Sequence, residues 1–558
     1  MGEKAATIEV INRLINALGN SDEYIRANAC KALGKIGEKA ATSEIINRLF
    51  SALGDSNATV RSNACEGLGK MGEKAATSEV INRLINALGD SDEYIRSNAC
   101  KTLGKMGEKA RTGEVIDRLI SALGDTNSSV RSSACKALGK TGEKAATREV
   151  INRLGSALGD RNRLVRFSAC QTLGKMGEKA ATEEVINRLI SALEDSEYNV
   201  MWSACEALGE MGEKAATSEV INRLIGALGN SDSIVRSKAC KALGKMGEKA
   251  GTREVINRLG SALRDRNRLV RFSACETLGK MGEKAATSEV INRLGSALGD
   301  RNRLVRFSAC ETLGKMYEKA ATSEVINQLG SALMDRYRLV RFSACKTLGK
   351  MYENAATSEV INQLVSGIEN ARYGVSLDIC KALGEMGEMA ATSEVINQLI
   401  GALGNSNAIV RLNACKALCK IGEKVATKEV INGVISALGD SELYVTWSAS
   451  IAVSEMYEKA ATNEVINQVI SGIENGGYSA GLDVCKALGE MGEKAATSEV
   501  INRLIGALGN SDSIVRSKAC EALGKMGEKA ATRKVINRLG SALGDSEWHV
   551  RWSASNAL

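Results

Sequence analysis

The chain has 558 residues, 44% of them hydrophobic but only 3% aromatic, and no proline. Its core must therefore be built from aliphatic, Ala, Met and Cys side chains, and nothing interrupts its helices where average usage would supply about 5% proline. The net charge is +8. No apolar run nears the ~20 residues of a membrane span, and the N-terminal MGEKAATIEV has no apolar signal region and misses the myristoylation pattern at Ala6. The expected location is the cytoplasm, with the nucleus as the alternative.

Along the chain one 35-residue unit recurs without insertion or deletion, starting at Gly2, Gly37, Gly72, Gly107, Gly142, Gly177, Gly212, Gly247, Gly282, Tyr317, Tyr352, Gly387, Gly422, Tyr457, Gly492 and Gly527, the last copy ending early at Leu558. Length alone suggests several globular domains. A fixed period of this size instead implies one stacked-repeat domain over 1–558, each unit packing on its neighbours. Both ends fall inside the repeat pattern, as expected of a piece of a longer protein.

Each unit reads as a helical hairpin. In 37–71, Thr42 with Ser43 and Glu44 predicts a capped helix start, and Ile45, Ile46, Leu49 and Leu53 recur at helical spacing. Gly54 is predicted to end this first helix in a left-handed conformation and Asp55 to cap the second. Val60, Ala64, Leu68 and Met71 form the second helix's inner face, and Gly72 ends it. Expected lengths are about 11 and 15 residues. Neither amphipathic helix buries its stripe alone, so the hairpins must stack.

The spacing Asp55, Val60-Arg61, Ala64, Leu68-Gly69, repeated in register over essentially the whole chain, resembles the HEAT-like repeat, especially its short, regular type found in phycobilisome lyases. The resemblance implies an all-α, right-handed solenoid of stacked hairpins. At roughly 8–10 Å per unit its axis would run on the order of 130–160 Å. The resemblance also implies polar ladders between successive repeats, carried here by Asp55 with Arg61, Asp90 with Arg96, Asp160 with Arg166 and Asp300 with Arg306, in a structural role. Met201, Ser376, Thr446 and Gly481 replace the arginine. The units at 352–386 and 457–491 also carry Gly374, Gly476, Gly477 and Gly481 near the second helix start. A glycine inside a helix costs about 1 kcal/mol relative to alanine, so these units are read as points where the superhelix bends; drift without bending is the alternative. Ankyrin, tetratricopeptide and pentatricopeptide repeats need proline or aromatic patterns missing here.

Fourteen of the fifteen cysteines, Cys30 to Cys520, share one phase of the repeat; Cys419 does not. Equivalent positions in stacked helices lie about 8–10 Å apart, beyond the ~7 Å reach of a disulfide. The phase reads as a small buried residue, not a metal or redox array, in a reducing compartment. Five units place glycine late in the first helix, at 155, 260, 295, 330 and 540, and an aromatic twelve residues on: Phe167, Phe272, Phe307, Phe342 and Trp552. Volume exchange within one hairpin is the preferred account; rings open to a ligand are the alternative. Trp202 and Trp447 occupy the same phase and are candidate binding residues.

No catalytic, cofactor or metal motif stands out. The one histidine, His549, lies in the last unit, and the LGKMGEK glycines read as helix ends, not as a phosphate loop. Acidic residues recur at fixed phases, which would make every unit equally catalytic. No enzyme activity, cofactor, small-molecule substrate or membrane partner is expected.

The variable phases carry the information. Positions 24, 27, 28, 31 and 35 of the first unit and their equivalents are expected to form one stripe on the second helices, the concave face in HEAT-like solenoids. Residues 247–351 hold twenty Lys and Arg against eleven Asp and Glu, a net of +9, with turn arginines at Arg266, Arg268, Arg301, Arg303, Arg336 and Arg338, echoed by Arg161 and Arg163. The expected function is a non-enzymatic protein-binding scaffold, as the recognition or regulatory arm of a larger protein, whose protein partner the sequence does not name. The alternative is a nucleic-acid or other polyanion binder through 247–351; local duplication of one basic unit also explains that patch.

Overall fold

A computed structural model describes residues 7–351, 373–422, 427–437, 440–456 and 485–558. These residues fall into two compact units, 1–281 and 282–558, and each is an all-α solenoid of stacked helical hairpins. Among the described residues there is no strand, and no helix is long and apolar enough to cross a membrane.

In the hairpin at 37–71 the first helix is Ser43–Ala52, with Thr42 Oγ1 accepting from Ile45 N at 3.4 Å, and the second is Ala58–Met71. Val60, Ala64, Leu68 and Met71 are fully buried, as are Ile45 and Leu49 opposite them. Gly72 takes φ +61° and ends the second helix, and residues Gly72–Ala75 follow as a 3-10 turn.

Three local expectations are corrected. Gly54 is not left-handed: it and Asp55 donate to the carbonyls of Ser51 and Ala52, so the helix tightens out of register instead of reversing. Units with Glu194, Arg264 or Met334 at this phase accordingly fold the same way. Asp55 does not cap the second helix; Asn57 does, accepting from Thr59 N and Val60 N at 2.8 and 3.3 Å. Asp55 lies one step earlier, accepting from Asn57 N at 2.9 Å, which frees its carboxylate for another partner. Of the two LGKMGEK glycines the second takes positive φ after the helix, while the first lies in most units within it, Gly104 at the end of Glu93–Leu103 being an exception. The first is where second helices touch: a Cβ on Gly104 would come within 2.9 Å of Ala137 Cα, and on Gly209 within 2.9 Å of Ala242 Cα. Close backbone approach at these positions requires glycine.

The volume-exchange account of the glycine–aromatic pairs also fails. A Cβ on Gly155 would meet Val185 and Arg188, one on Gly295 Gln328 and Val325, and one on Gly540 nothing within 4 Å, so at these three positions the space beside the glycine is not filled by its own hairpin's ring. Phe167 packs instead edge-on against Trp202 of the next hairpin, ring centroids 5.3 Å apart.

The polar ladder has a definite direction. Each arginine grips the carboxylate of the following hairpin: Arg26 Nε and Nη2 donate to Asp55 at 2.7 and 2.9 Å, Arg61 to Asp90 at 3.0 and 3.1 Å, and Arg131 to Asp160 at 2.6 and 2.8 Å. Arg96 holds Asp125, Arg166 holds Asp195 and Arg306 holds Asp335 in the same way. Within its own hairpin the arginine meets only backbone: Arg61 Nη1 donates to Asp55 O, Arg96 to Asp90 O, Arg166 to Asp160 O and Arg306 to Asp300 O. One guanidinium thus ties a turn to its neighbour with bidentate, charge-assisted bonds.

The sequence carries the imprint of this direction. Every arginine of the ladder from Arg26 to Arg516 is followed 29 residues on by Asp, except Arg341, followed by Asn370; each unit lacking the arginine is followed by Asn, Met201 by Asn230, Ser376 by Asn405, Thr446 by Asn475 and Gly481 by Asn510. Inside one unit no such rule holds, since Asp195 shares its unit with Met201 and Asn230 with Arg236. A half-buried carboxylate without its guanidinium is costly, and the amide removes the charge. At Met201 the Asn230 amide donates to the thioether sulfur at 3.7 Å.

The cysteine phase is buried throughout, and only Cys419 is half-exposed. Burial pushes the Cys65, Cys100 and Cys135 thiols up to about 12, which makes them inert packing groups. Gly374 lies in the helix Tyr373–Met386; Gly476, Gly477 and Gly481, and with them the expected bends at 352–386 and 457–491, fall outside or largely outside the described residues.

Candidate functional site

The second helices present a face that the hairpin core does not use. Its first feature is apolar. The second residue of many second helices is a large apolar one open to solvent: Leu164, Ile234 and Leu269 in the first compact unit, and Leu304, Leu339, Ile409, Tyr444 and Ile514 in the second, with exposures from 45% at Ile514 to 72% at Tyr444. Tyr24 and Tyr94 hold the same phase and are equally open. Singly exposed apolar residues are ordinary, whereas one recurring at the same phase of adjacent hairpins, as at Ile234 and Leu269 or at Leu304 and Leu339, forms a short ridge; Thr59, Ser129 and Asn199 interrupt it in the first unit.

One helical turn further lies the aromatic phase. Trp202 is half-buried between Phe167 and Lys238, whose ammonium sits 5.5 Å from the ring centroid and pairs with Glu206 at 2.7 Å. Trp447 is 49% exposed and Phe342 43%. This phase is not open everywhere, since Ala27, Ser97, Ser132 and Ser237 are buried, and serines there bond across hairpins, as in Ser97–Ser133 at 2.9 Å. In the expected stripe, among the described residues, the phases of residues 31 and 35 stay at least partly exposed, while those of residues 27 and 28 are buried in many hairpins, as at Ser97, Ser133, Ser168 and Ser203.

The turn arginines are exposed and unequally committed. Arg163 pairs with Glu197 at 3.0 Å. Arg266 and Arg268 belong to the first compact unit, Arg301, Arg303, Arg336 and Arg338 to the second. In the second, Arg303 and Arg336 stack on the Tyr337 ring at 4.9 and 4.7 Å, with Arg306 at 5.6 Å. Tyr337 replaces the Asn cap of its neighbours and gathers cations instead. Arg161 lies in the exposed turn before Arg163.

Sequence reasoning found the variable phases but not the apolar ridge. The signal was present, as Leu, Ile or Tyr recurring at the phase of residue 24 in most units; it went unread because an apolar residue beside the buried valine phase looks like core.

A family model for HEAT repeats matches residues 11–84, 46–114, 81–150, 116–185, 151–224, 186–255, 221–294, 256–326 and 482–558. The chain is a HEAT-repeat protein. No curated protein sequence matches this HEAT-repeat chain. Among solved structures it is similar to Kap95p in a study of its binding to RanGDP, with 12% identity over 100% of this chain and 84% of that one and a TM-score of 0.64. It is similar also to importin beta in a polyethylene glycol condition, with 14% identity, 98% and 86% coverage and a TM-score of 0.55. In an ammonium sulfate condition importin beta gives 13%, 98%, 83% and 0.53. At these identities the likeness is one of fold.

Proposed function

We propose that this HEAT-repeat chain is a non-enzymatic scaffold that captures protein partners along the exposed face of its second helices. The observation that carries this reading is the recurrence of exposed apolar residues at one phase of the second helices, Leu164, Ile234 and Leu269 in the first unit and Leu304, Leu339, Ile409, Tyr444 and Ile514 in the second. These side chains cost solubility, yet they recur beside core phases that hardly vary. Large exposed apolar residues framed by charge suit the desolvated centre of a protein interface, while a phosphate backbone would need only the cations. That the structural neighbour Kap95p is described as binding RanGDP agrees with such a use of the fold.

The test is site-specific photo-crosslinking in nuclease-treated lysate. Benzoylphenylalanine is placed at Leu269 or Leu339 on the ridge, or at the exposed first-helix residues Asn257 or Asn292. Discrete protein adducts from the ridge positions alone are expected. Adducts only from the first helices overturn the reading. Nucleic-acid adducts before nuclease treatment, lost when Arg266, Arg268, Arg301, Arg303, Arg336 and Arg338 become Ser, replace it with the polyanion reading.

A further inference from the structure

The C-terminal halves of three successive second helices, Arg338–Lys350, Tyr373–Met386 and Ala408–Ile421, enclose a groove of about 540 Å³. Its floor is apolar and flat, made by Gly349, Ala382, Gly384 and Ala417. A Cβ on Gly384 would lie 3.1 Å from Ala417 Cα, so the backbones nearly touch there. The Phe342 ring closes one end. Lysines 346, 350, 381, 416 and 420 form the rim, and no acidic residue among the described ones lines it. No carboxylate among the described residues pairs with Lys346, Lys381 or Lys416; Lys381 sits 5.9 Å over the Phe342 ring and Lys350 5.8 Å over that of Tyr317. In the sequence the phase shared by Lys350 and Lys420 holds Glu385 in the intervening unit.

Grooves of this shape follow from stacking second helices, so shape alone assigns nothing. In the first compact unit a similar groove of about 510 Å³ runs over Cys170, Gly174 and Ala207, but its rim is Lys175, Glu206 and Glu210. Those acids are already bound, Glu206 by Lys238 and Glu210 by Lys245. The groove at 342–420 has the same floor and a rim in which Lys346, Lys381 and Lys416 have no carboxylate partner among the described residues.

We infer that this groove binds an extended acidic protein segment that inserts one apolar side chain against Phe342. This deepens the protein-binding reading above and rests on it. Crossing three helices spans roughly 16–20 Å, which an extended chain covers with about six residues at ~3.3 Å each. An exposed lysine–carboxylate pair contributes only about 0.2–1 kcal/mol, so the rim supplies orientation and encounter rate and the apolar floor supplies the anchor. A single-stranded nucleic acid fits less well, because it wants several stacking rings where this groove has one, and the rim holds no arginine to grip phosphate in two-pronged fashion.

The experiment measures fluorescence anisotropy of a labelled acidic heptapeptide with a central phenylalanine, its Phe-to-Ala version and labelled dT12, each against the full chain. Lys346→Glu, Lys381→Glu and Lys416→Glu are combined in one variant. Lys31→Glu, Lys101→Glu and Lys136→Glu, exposed at the same phase of the first compact unit, are combined in a control. Circular dichroism confirms that both fold. The groove variant is expected to bind the peptide about tenfold or more weaker, the control within about twofold of the parent. Phe342→Ala is expected to weaken the phenylalanine peptide but not the alanine one, and Glu385→Gln to tighten both. Equal peptide binding by the groove variant, or none by the parent chain, overturns the assignment even when the ridge adducts persist. Tighter, groove-dependent binding of dT12 overturns it in favour of nucleic acid. Loss of ridge adducts with groove binding intact would count against the broader reading alone.

Discussion

Asp160 accepts from Arg131 Nε and Nη2 at 2.6 and 2.8 Å and from the backbone N–H of Asn162 at 2.8 Å. Partial burial pushes its carboxyl up, and these bonds more than offset that, so it titrates below the ordinary range. Removing the guanidinium strands the charge. Arg131→Met is expected to destabilise the junction by about 1.5–3 kcal/mol, and adding Asp160→Asn to recover a large part, because the pair then copies Met201–Asn230. Amide exchange in the helix Ser128–Lys140 reads this locally, which matters because a long repeat array need not unfold in two states. Equal exchange in the single and double variants would deny the coupling. Acid acts on the same bonds. The hydrogen bond from Arg516, aided by the Glu547 N–H, holds Asp545 down at about 2, against about 3.9 in an unfolded chain. A carboxyl depressed on folding stabilises the fold above the unfolded value and loses that contribution as pH falls through the folded one. The thermal midpoint should therefore drop between about pH 4 and pH 2, and Asp545→Asn should flatten the part belonging to the last hairpin.

At the scale of the hairpin, most of the fold was legible because side-chain period and caps are local. Thr42, the buried faces and Gly72 could be read directly. What could not be read was which of two nearby polar residues caps. Asp55 and Asn57 both suit a helix start, and the second of the two caps whether or not an arginine holds the first: Asn57 does so beside Asp55 held by Arg26, and Asp232 beside Asn230, which no arginine holds. Glycine was ambiguous for a similar reason: it serves a positive φ at Gly72, a close helix contact at Gly104, and neither need at Gly89. Two substitutions separate these uses. A Cβ on Gly72 would find its nearest atoms at 3.8 Å, and one on Gly89 at 3.5 Å, so neither is crowded, but only Gly72 has positive φ. Gly72→Ala is expected to cost about 1–2 kcal/mol. Gly89→Ala is expected to gain about 0.5 kcal/mol through the unfolded chain. Thermal melts of the two variants should move in opposite directions. Tyr317, held at φ 49° where most other units have glycine, carries that cost in the native chain, and Tyr317→Gly should raise the melting temperature.

At the scale of the whole chain, an uninterrupted period made the solenoid legible, while the direction of the ladder was not, because Asp55 lies six residues before Arg61 and 29 after Arg26 and both spacings fit a repeat. The substitutions hold the answer, since Arg and Asp are lost together across a junction and not within a unit. That pattern also says where the array is least clamped. The junction at Met201 and Asn230 retains the apolar core, as Val200, Leu208, Val235 and Leu243 remain buried, but it has an amide–thioether contact at 3.7 Å in place of the bidentate ion pair, beside more exposed pairs such as Lys238–Glu206 and Lys245–Glu210 that contribute little. Nearest-neighbour terms set the stability of a repeat array, so this junction should open more often than its neighbours. The helices Tyr198–Glu210 and Ser233–Lys245 are expected to exchange amide protons faster than Ser128–Lys140 and Arg163–Met176, which are joined by Arg131–Asp160. Met201→Arg with Asn230→Asp should install the missing clamp and slow exchange on both sides, while Met201→Arg alone should slow it less. If the double variant exchanges no more slowly than the parent, the ladder follows the packing of the helices and does not help to set it.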